Sequence, residues 1–545
     1  MSQGPRTAAG EARVLAVGGP DPPISTLTDR RIRALTIGLV TIITLVAFEA
    51  LAVVTVLPEV AAQLRGVSLY GWTTSAFFLG TTVGIVLAGS DADRVGPARP
   101  FAAGLLLFGA GLALATVAPT MPVLVAARGL QGLGGGAIPA VAYATIGRVY
   151  PAALRPRVFA LLASAWVVPG LGGPALSGLV AAHVGWRWVF GGLLPLTVVA
   201  GLIPLRALRA LPGGPPATGP DAAPGDNAGW LHGDDADEDD ADRAPRDAAG
   251  APREGGRAPV VAAVRVSAGA GLILAGLTSW SLLGLPLVAA GIGCGLGPLR
   301  RLLPAGTLLL RPGVPAAVAC RGLLTWAFFG ADTFVPLSIT AVRHASTTTA
   351  GLAVSSATLC WTAGAWTQAR LAKRVRERTL VGWGLGLVAL GTAVFATVLL
   401  PGRVPLPVAI GGWGIAGLGI GMSYSTIVTL VLARTPPHRQ GAASTAVALT
   451  DNLGTAFGAG VSGVAVAASQ ARTGAPDGGL AVAFGLTVLL GLLGSLVALR
   501  RLPAHETTAH DTTAHETATH DTTAHETATH AARGRPGRAD GHAGG

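Results

Sequence analysis

The sequence predicts an all-α polytopic membrane protein, and three observations carry that prediction. Half of the 545 residues are apolar, only 12% are charged, and the mean hydropathy is +0.56, a profile of chains that live in a bilayer. Apolar runs of about 20 residues, enough for a helix to cross the hydrocarbon, follow one another along nearly the whole chain. Arginines gather in alternate connectors, the asymmetry that orients membrane helices.

Taken in order, the apolar runs fall near 35–57, 69–89, 98–118, 121–147, 157–181 and 186–205, and then, after a polar stretch, near 258–276, 280–298, 314–339, 348–368, 379–399, 405–432, 441–468 and 478–500. That predicts fourteen crossings, or twelve if 258–298 makes a re-entrant or surface hairpin. The domains expected are a leading segment 1–34, a first bundle 35–205, a linker 206–257, two extra spans 258–298, a second bundle 314–500 and a tail 501–545. Placing residues 1–34 in the cytoplasm puts Arg94, Arg99, Arg148, Arg300, Arg301 and the cluster ARLAKRVRER on that side. The opposite side receives Arg65, Arg187, Arg343, Arg403 and Arg472. A multi-pass cell-membrane protein with both termini cytoplasmic is therefore expected.

The polar segments are read separately. The linker contains LHGDDADEDDADR among Pro and Gly, and cannot bury enough surface to offset the entropy of ordering. Its acidic run suits a solvated spacer or a cation-binding stretch. The tail repeats a pentapeptide that places His505, His510, His515, His520, His525 and His530 five apart. Five residues turn a helix by about 500°, so these imidazoles share no face. A flexible chain could still gather them around Ni²⁺ or Zn²⁺; the plainer reading is a hydrophilic extension, with no metal in the membrane core.

Several classes are excluded. The net charge of +11 is scattered through short connectors, which does not suit a nucleic-acid partner. Cys294, Cys320 and Cys360 lie in apolar runs and form neither a disulfide framework nor a zinc motif. No Gly-rich loop ending in Lys, no HExxH and no nucleotide-binding unit occurs, so the chain is not read as an enzyme. Secondary transport, built from two bundles about a linker, is the expectation. The partners would be a small-molecule substrate and the lipid bilayer, with the chain a monomer.

Ionisable residues inside a membrane are costly and mark function. Glu49, in LVAFEALAVVTVLPEV, is a protonatable acid in mid-run and suits proton coupling, or a structural pair with Arg128. Asp332, in WAFFGADTFVPL, poses the same choice. Asp451, in ALTDNLGTAFG, reads as a gating or helix-interface residue; Arg265 and Arg321 complete the set. Pro169 and Pro174 kink the helix in SAWVVPGLGGPALSG while its glycines permit tight packing. Phe48, Trp72, Phe77, Trp166, Trp326, Phe328, Phe329 and Trp361 are candidate cavity aromatics.

The stretch GSDADRVGPAR resembles the loop between helices 2 and 3 of the major facilitator superfamily, G-x-L-A-D-R-x-G-R-R, with Gly89, Asp93, Arg94 and Gly96 matching. Asp91 replaces the family leucine and Pro97 and Ala98 replace basic residues, while Arg99 stands nearby. RGLQGLGGG is similar to the helix 4 motif of proton-coupled members, on Arg128, Gln131 and Gly132. GGPALSG resembles the antiporter motif G-P-x-x-G-G through Gly173, Pro174 and Gly178. FEALAVVTVLP is similar to the helix 1 motif D-x-T-x-x-N-x-x-L-P of the fourteen-span drug:proton antiporter subfamily, through Glu49, Leu57 and Pro58.

The resemblance implies two six-helix bundles around a cavity, with an extra central pair of spans, exporting hydrophobic or cationic compounds in exchange for protons without a cofactor. It implies that Gly89, Asp93, Arg94, Gly96 and Arg99 latch the inward-closed state and that Arg128 modulates Glu49. Two other readings stand beside this multidrug-type efflux. One is a dedicated exporter of a single endogenous metabolite or lipid. The other is a membrane sensor or scaffold acting through linker and tail.

Overall fold

The structure, a computed structural model, describes residues 30–151, 154–210, 257–279, 282, 284–372, 374–400, 402–436 and 439–503. The leading segment 1–29, most of the linker and the tail with His505 to His530 lie outside the described residues. All described secondary structure is helical.

The first bundle contains α1 (Arg30–Gln63), α2 (Tyr70–Val95), α3 (Ala98–Thr116) and α4 (Met121–Val149), then two broken crossings, α5 (Arg155–Ser164) with α6 (Val167–Val184) and α7 (Arg187–Gly191) with α8 (Leu193–Arg209). The inserted pair is α9 (Arg257–Thr278) and α10 (Gly284–Leu302). The second bundle begins with α11 (Val314–Asp332), which resumes after a break as α12 (Val335–Leu337) and a π-helical turn, Ser338–Val342. It continues with α13 (Thr347–Leu371), α14 (Glu377–Phe395), α15 (Leu406–Ala433), α16 (Gln440–Thr473) and α17 (Asp477–Arg501). A helix stands at every expected crossing. Among the described residues, ten helical segments are long and apolar enough to span a bilayer by length and composition alone. The helices α4, α10, α13 and α16 fall outside that set; α4, α13 and α16 carry glycine and hydroxyl side chains among their apolar residues, and α10 ends in Arg300 and Arg301.

Each break has a proline four residues on. A proline cannot donate to the carbonyl four positions back, and its ring crowds that carbonyl. Pro169 thus frees Ala165 at the α5–α6 break, Pro195 frees Gly191 at α7–α8, and Pro336 frees Asp332 where α11 stops. One expectation changes here. The charged stretch after Gly89 is mostly not a loop, because α2 runs on through Val95 and the turn is only Gly96 and Pro97. Gly96 has φ +84, a conformation that strongly favours glycine.

The two bundles repeat one arrangement. In the first, α4 lies on α2 and α3, while α1 packs on α6 and α8; in the second, α15 lies on α13 and α14, while α11 packs on α16 and α17. The bundles meet along two seams, α2 with α16 and α6 with α13. Connectors alternate between an arginine-rich end and an arginine-poor end, and the Gly313 N–H donates to the Arg501 carbonyl at 3.1 Å, tying two rich-end segments.

Toward the poor end both seams are sealed by backbone contact. A Cβ on Gly71 would stand 2.2 Å from the Ala459 carbonyl oxygen, and one on Gly351 would stand 2.5 Å from the Pro174 carbonyl oxygen. Toward the rich end the α2–α16 seam opens into an apolar groove between Thr82, Ile85 and Val86 of α2 and Thr445 and Leu449 of α16, beside Ala263 of α9.

The inserted pair covers that seam. The α9–α10 crossing is close enough that a Cβ on Gly291 would stand 2.6 Å from the Gly269 carbonyl oxygen, and α9 packs on α2 and α16. In lipid, such contact between small residues drives helix association. Gly291→Leu therefore lowers stability by about 1–3 kcal/mol through overpacking, read as a reduced melting temperature in detergent. Gly293→Leu, with nothing within 4 Å of its Cβ position, is the control that leaves the melt unchanged. Equal melts for both variants would remove the close crossing as a source of stability.

Candidate functional site: buried charges in each bundle

Glycines bring the first site together. On α4, a Cβ on Gly132 would stand 2.0 Å from the Phe77 carbonyl oxygen and one on Gly136 would stand 2.4 Å from that of Thr81. The α2 and α4 backbones therefore touch, and the motif RGLQGLGGG lays its arginine against α2. Arg128 Nη1 donates to Glu49 Oε1 of α1 and, at 2.7 Å, to Gln131 Oε1; its Nε lies 3.4 Å from the Thr73 carbonyl oxygen. The guanidinium sits 4.3 Å over the Phe77 ring. Glu49 is 0% exposed, and its second oxygen, Oε2, has no hydrogen-bond partner in the protein. The pair is thus hydrogen-bonded on the arginine side, and the second carboxylate oxygen is buried without a partner in the protein.

The second bundle holds another ion pair. Arg321 Nε of α11 donates to Asp451 Oδ1 of α16 at 3.0 Å, and its Nη1 donates to the Tyr424 carbonyl of α15 at 2.9 Å. Its guanidinium lies 3.1 Å from the centroid of the Tyr424 ring. The Tyr424 hydroxyl donates to Asp451 Oδ2 at 3.1 Å, and Thr325 Oγ1 donates to the Asp451 carbonyl at 3.1 Å. The expected gating residue Asp451 is therefore joined to Arg321. Sequence reading counted Arg321 but gave it no partner. The signal was available: an arginine inside an apolar run requires an acid, and Asp332 and Asp451 are the acids inside the spans of that half.

Asp332 stands apart from both pairs. It is buried at the end of α11, and no salt bridge involves it among the described residues. Tyr70 and Trp413 lie near it; the Trp413 indole N–H is directed at the Asp332 carboxylate, and the Tyr70 hydroxyl has no hydrogen-bond partner among the described residues. Tyr70 belongs to the first bundle and packs against Phe334 of the second, with the rings tilted and their centroids 5.2 Å apart. Asp332 is thus at the sealed end of the α2–α16 seam.

The latch residues are at the rich end. Arg94 and Arg99 are exposed, Gly89 has open space around it, and the side chain of Asp93 lies outside the described residues. In the antiporter-motif helix, Gly173 faces Phe48 of α1, Gly178 faces the Thr347–Thr348 backbone of α13, and the Pro174 carbonyl faces Gly351. Among the aromatics, Trp361 contacts Phe328, Phe329 and Tyr424, and Phe329 reaches Phe78 of the first bundle at 6.3 Å. Trp326 stacks on Phe457, and Trp166 is exposed at the α5–α6 break. Trp72 departs from the expected lining, since its indole N–H donates to Thr278 of α9 at 3.1 Å. Phe77 serves the Arg128 pair instead. No cluster of three potential metal ligands occurs among the described residues.

A family profile described as Major Facilitator Superfamily matches residues 37–328 and 317–536. The chain belongs to that superfamily. A probable multidrug-efflux transporter of Mycobacterium tuberculosis is 28% identical over 499 residues, spanning 85% of this chain and 94% of the relative. A multidrug transporter of Bacillus subtilis is 31% identical over 163 residues, 30% of each chain. Among solved structures, an auto-inhibited POT-family peptide transporter superposes with a TM-score of 0.60 at 18% identity, covering 87% of this chain and 99% of its own. A D-xylose–proton symporter gives 0.59 at 15% identity, covering 87% and 98%. These likenesses establish the fold: a multi-pass membrane protein of this superfamily, and a secondary transporter.

Removing one member of the Glu49–Arg128 pair leaves an uncompensated charge in the interior, which costs about 3–5 kcal/mol. Arg128→Met is therefore expected to lower the melting temperature sharply, and the double change Glu49→Leu, Arg128→Met to recover much of the loss. A double variant that melts no higher than the single one would show that the pair is not coupled as drawn.

Proposed function

We propose that this chain is a proton-coupled exporter of hydrophobic or cationic small molecules, of the fourteen-span drug:proton antiporter type. It would work as a monomer in the cell membrane with its arginine-rich end and both termini in the cytoplasm. The observation that carries this reading is the Glu49–Arg128 pair, a carboxylate at 0% exposure with one oxygen held by a cation and the other unpartnered. The names of the relatives in Mycobacterium and Bacillus support efflux of drugs as the activity. The aromatic wall of Trp361, Phe329 and Phe78 suits flat or cationic substrates, since ring faces attract positive charge.

In this reading the described conformation faces the cytoplasm: the seams are sealed at the arginine-poor end, and Arg94 and Arg99 are exposed and without an ion pair among the described residues. The Gly89–Arg99 stretch would latch the opposite state, in which the rich end closes. Proton coupling is assigned to Glu49, with Arg128 as the group that responds to its charge. Asp332, expected to share that role, is assigned to the seal, because it lies near Tyr70 across the seam and has no salt-bridge partner among the described residues.

Everted vesicles with ethidium as the probe test this. Wild type is expected to accumulate ethidium when the lumen is acid and to lose that accumulation when nigericin collapses the gradient. Glu49→Gln is expected to lose the response to pH while still moving ethidium downhill, a fall in accumulation of at least about tenfold per pH unit for one coupled proton. Accumulation by Glu49→Gln equal to wild type across pH 6–8 would overturn the assignment. Accumulation of one natural metabolite, with no other member of a compound panel moved, would favour the dedicated exporter. Loss of activity on deleting the linker and tail, with Glu49→Gln intact, would favour the scaffold.

A further inference from the structure

We propose that the inserted pair carries a binding site for an anionic phospholipid, with Arg265 of α9 and Arg301 of α10 clasping its phosphate in the lipid-facing crevice between the two helices.

The inference starts from an arginine in an unusual place. The span of α9 runs from Ala258 to Thr278, so Arg265 stands seven residues in from its arginine-rich end, a depth of about 10 Å. Its side chain is exposed, while Ala263, Val266, Ala270 and Leu274 of the same helix are buried. Intramembrane arginines ordinarily face the protein interior and an acid there; this one faces lipid. A side chain reaching roughly 6 Å toward the rich end still leaves the guanidinium inside the edge of the span, where headgroups are within reach and bulk water is not. The pair supplies no counter-charge of its own. From Arg257 to Leu302 there are four arginines and no acidic residue, and neither Arg265 nor Arg301 enters an ion pair among the described residues.

Packing brings the second arginine to the same crevice. The Cys294 thiol donates to the Arg265 carbonyl at 3.5 Å, and a Cβ on Gly295 would stand 3.7 Å from that oxygen, so Arg265 lies level with Cys294 and Gly295 of α10. Arg301 follows Cys294 by seven residues, a spacing that returns to the same helix face about 10 Å nearer the rich end. Both arginines are exposed. With Arg265 extended toward the rich end, the two guanidinia flank one position between α9 and α10. Val261, one turn from Arg265, and Val264 are exposed beside it and offer apolar surface to an acyl chain. Planar guanidinia hold phosphate through paired N–H bonds. Two of them with no acid nearby favour a headgroup of net negative charge over one that carries an ammonium. Phosphatidylglycerol has that chemistry.

A phosphate between Arg265 and Arg301 ties α9 to α10 at the rich end, beyond the crossing that Gly269 and Gly291 already hold. There Pro259 of α9 and Leu302 of α10 border the groove beside Thr445 and Leu449. The lipid thus supports the pair where the protein leaves open space.

The test uses the purified full-length protein, delipidated in a neutral detergent, with phosphatidylglycerol and phosphatidylcholine of the same acyl chains as probes. Native mass spectrometry is expected to show one phosphatidylglycerol retained by wild type at concentrations where phosphatidylcholine is lost. Phosphatidylglycerol is also expected to raise the melting temperature in a saturable way. Arg265→Gln and Arg301→Gln are each expected to weaken that binding about tenfold, as the loss of one charge-assisted contact does, and the double variant to bind both lipids alike. The control is Arg206→Gln combined with Arg209→Gln, which removes two exposed arginines from the end of α8 and is expected to leave phosphatidylglycerol binding as in wild type. Wild-type protein that does not distinguish the two lipids would overturn the site. An equal loss in the control would overturn it too, by showing attraction to the basic end as a whole. A melt raised as far by inorganic phosphate alone would show an anion site and no lipid site. Should Arg265→Gln fail to fold, Arg301→Gln decides: wild-type affinity in that variant overturns the clasp. None of these readouts involves transport, so their outcome is independent of the coupling role given to Glu49.

Discussion

A guanidinium inside a bilayer is tolerated only where each of its polar edges is met, and the rest of this structure follows from how Arg128 is met. Its partners lie on three helices: Glu49 on α1, Thr73 and Phe77 on α2, and Gln131 on its own helix. No side chain long enough to bridge a normal helix spacing supplies the Thr73 carbonyl; the α2 backbone itself is brought there. That requires α2 and α4 to touch, and glycine is what allows it, at Gly80 and Gly84 on one side and Gly132 and Gly136 on the other. Close contact between small residues is also the main source of helix association in lipid, where burying apolar surface gains little. The same glycines thus hold the bundle together and complete the charge site.

This double use explains what was legible in the sequence and what was not. The helices at the apolar runs and the Glu49–Arg128 partnership could be read, because length, apolarity and the expense of an intramembrane charge are local properties of the chain; ten of those helices are long and apolar enough to cross a bilayer among the described residues. The ends of helices were less legible: α2 continues six residues past Gly89, since charged residues in a last helical turn protrude into water at no cost to the helix. Arg321 and Asp451 lie far apart in sequence, on the first and fifth crossings of their bundle. Only the packing order makes them neighbours, and hydropathy carries no packing order. Trp72 was misplaced for the same reason, because nothing in its own helix says that α9 will cover that face.

The inserted pair also makes the two seams unequal. The α2–α16 seam has α9 packed over it, while no third helix of the inserted pair's kind lies over α6 and α13 in the contacts described. A substrate dissolved in the membrane would therefore meet different surfaces on the two sides of the molecule. The tethering contact from Trp72 to Thr278 joins the pair to the first bundle, and the approach of Leu274 to Gly460 joins it to the second. Any motion between the bundles must slide along α9.

Both ion pairs are internal to one bundle, so a rigid rocking of the bundles breaks neither of them. In the proposed mechanism, coupling between protonation and rocking would then pass through residues that touch a pair on one side and a seam on the other. Phe48 is such a residue. It adjoins Glu49 on α1 and faces Gly173 of α6, and the next residue, Pro174, turns its carbonyl to Gly351 across the seam. Proline at that position leaves α6 short of a hydrogen bond, which makes the helix easier to bend there than elsewhere. In the proposed mechanism, a change of charge at Glu49 that shifts Phe48 would act on the segment of the seam that Pro174 makes easier to bend. On the second bundle the corresponding link is Tyr424, which binds both members of its ion pair and contacts Trp361 of α13, the helix that lines the same seam from the other side. The contacts of the two pairs thus converge on α6 and α13 from opposite bundles.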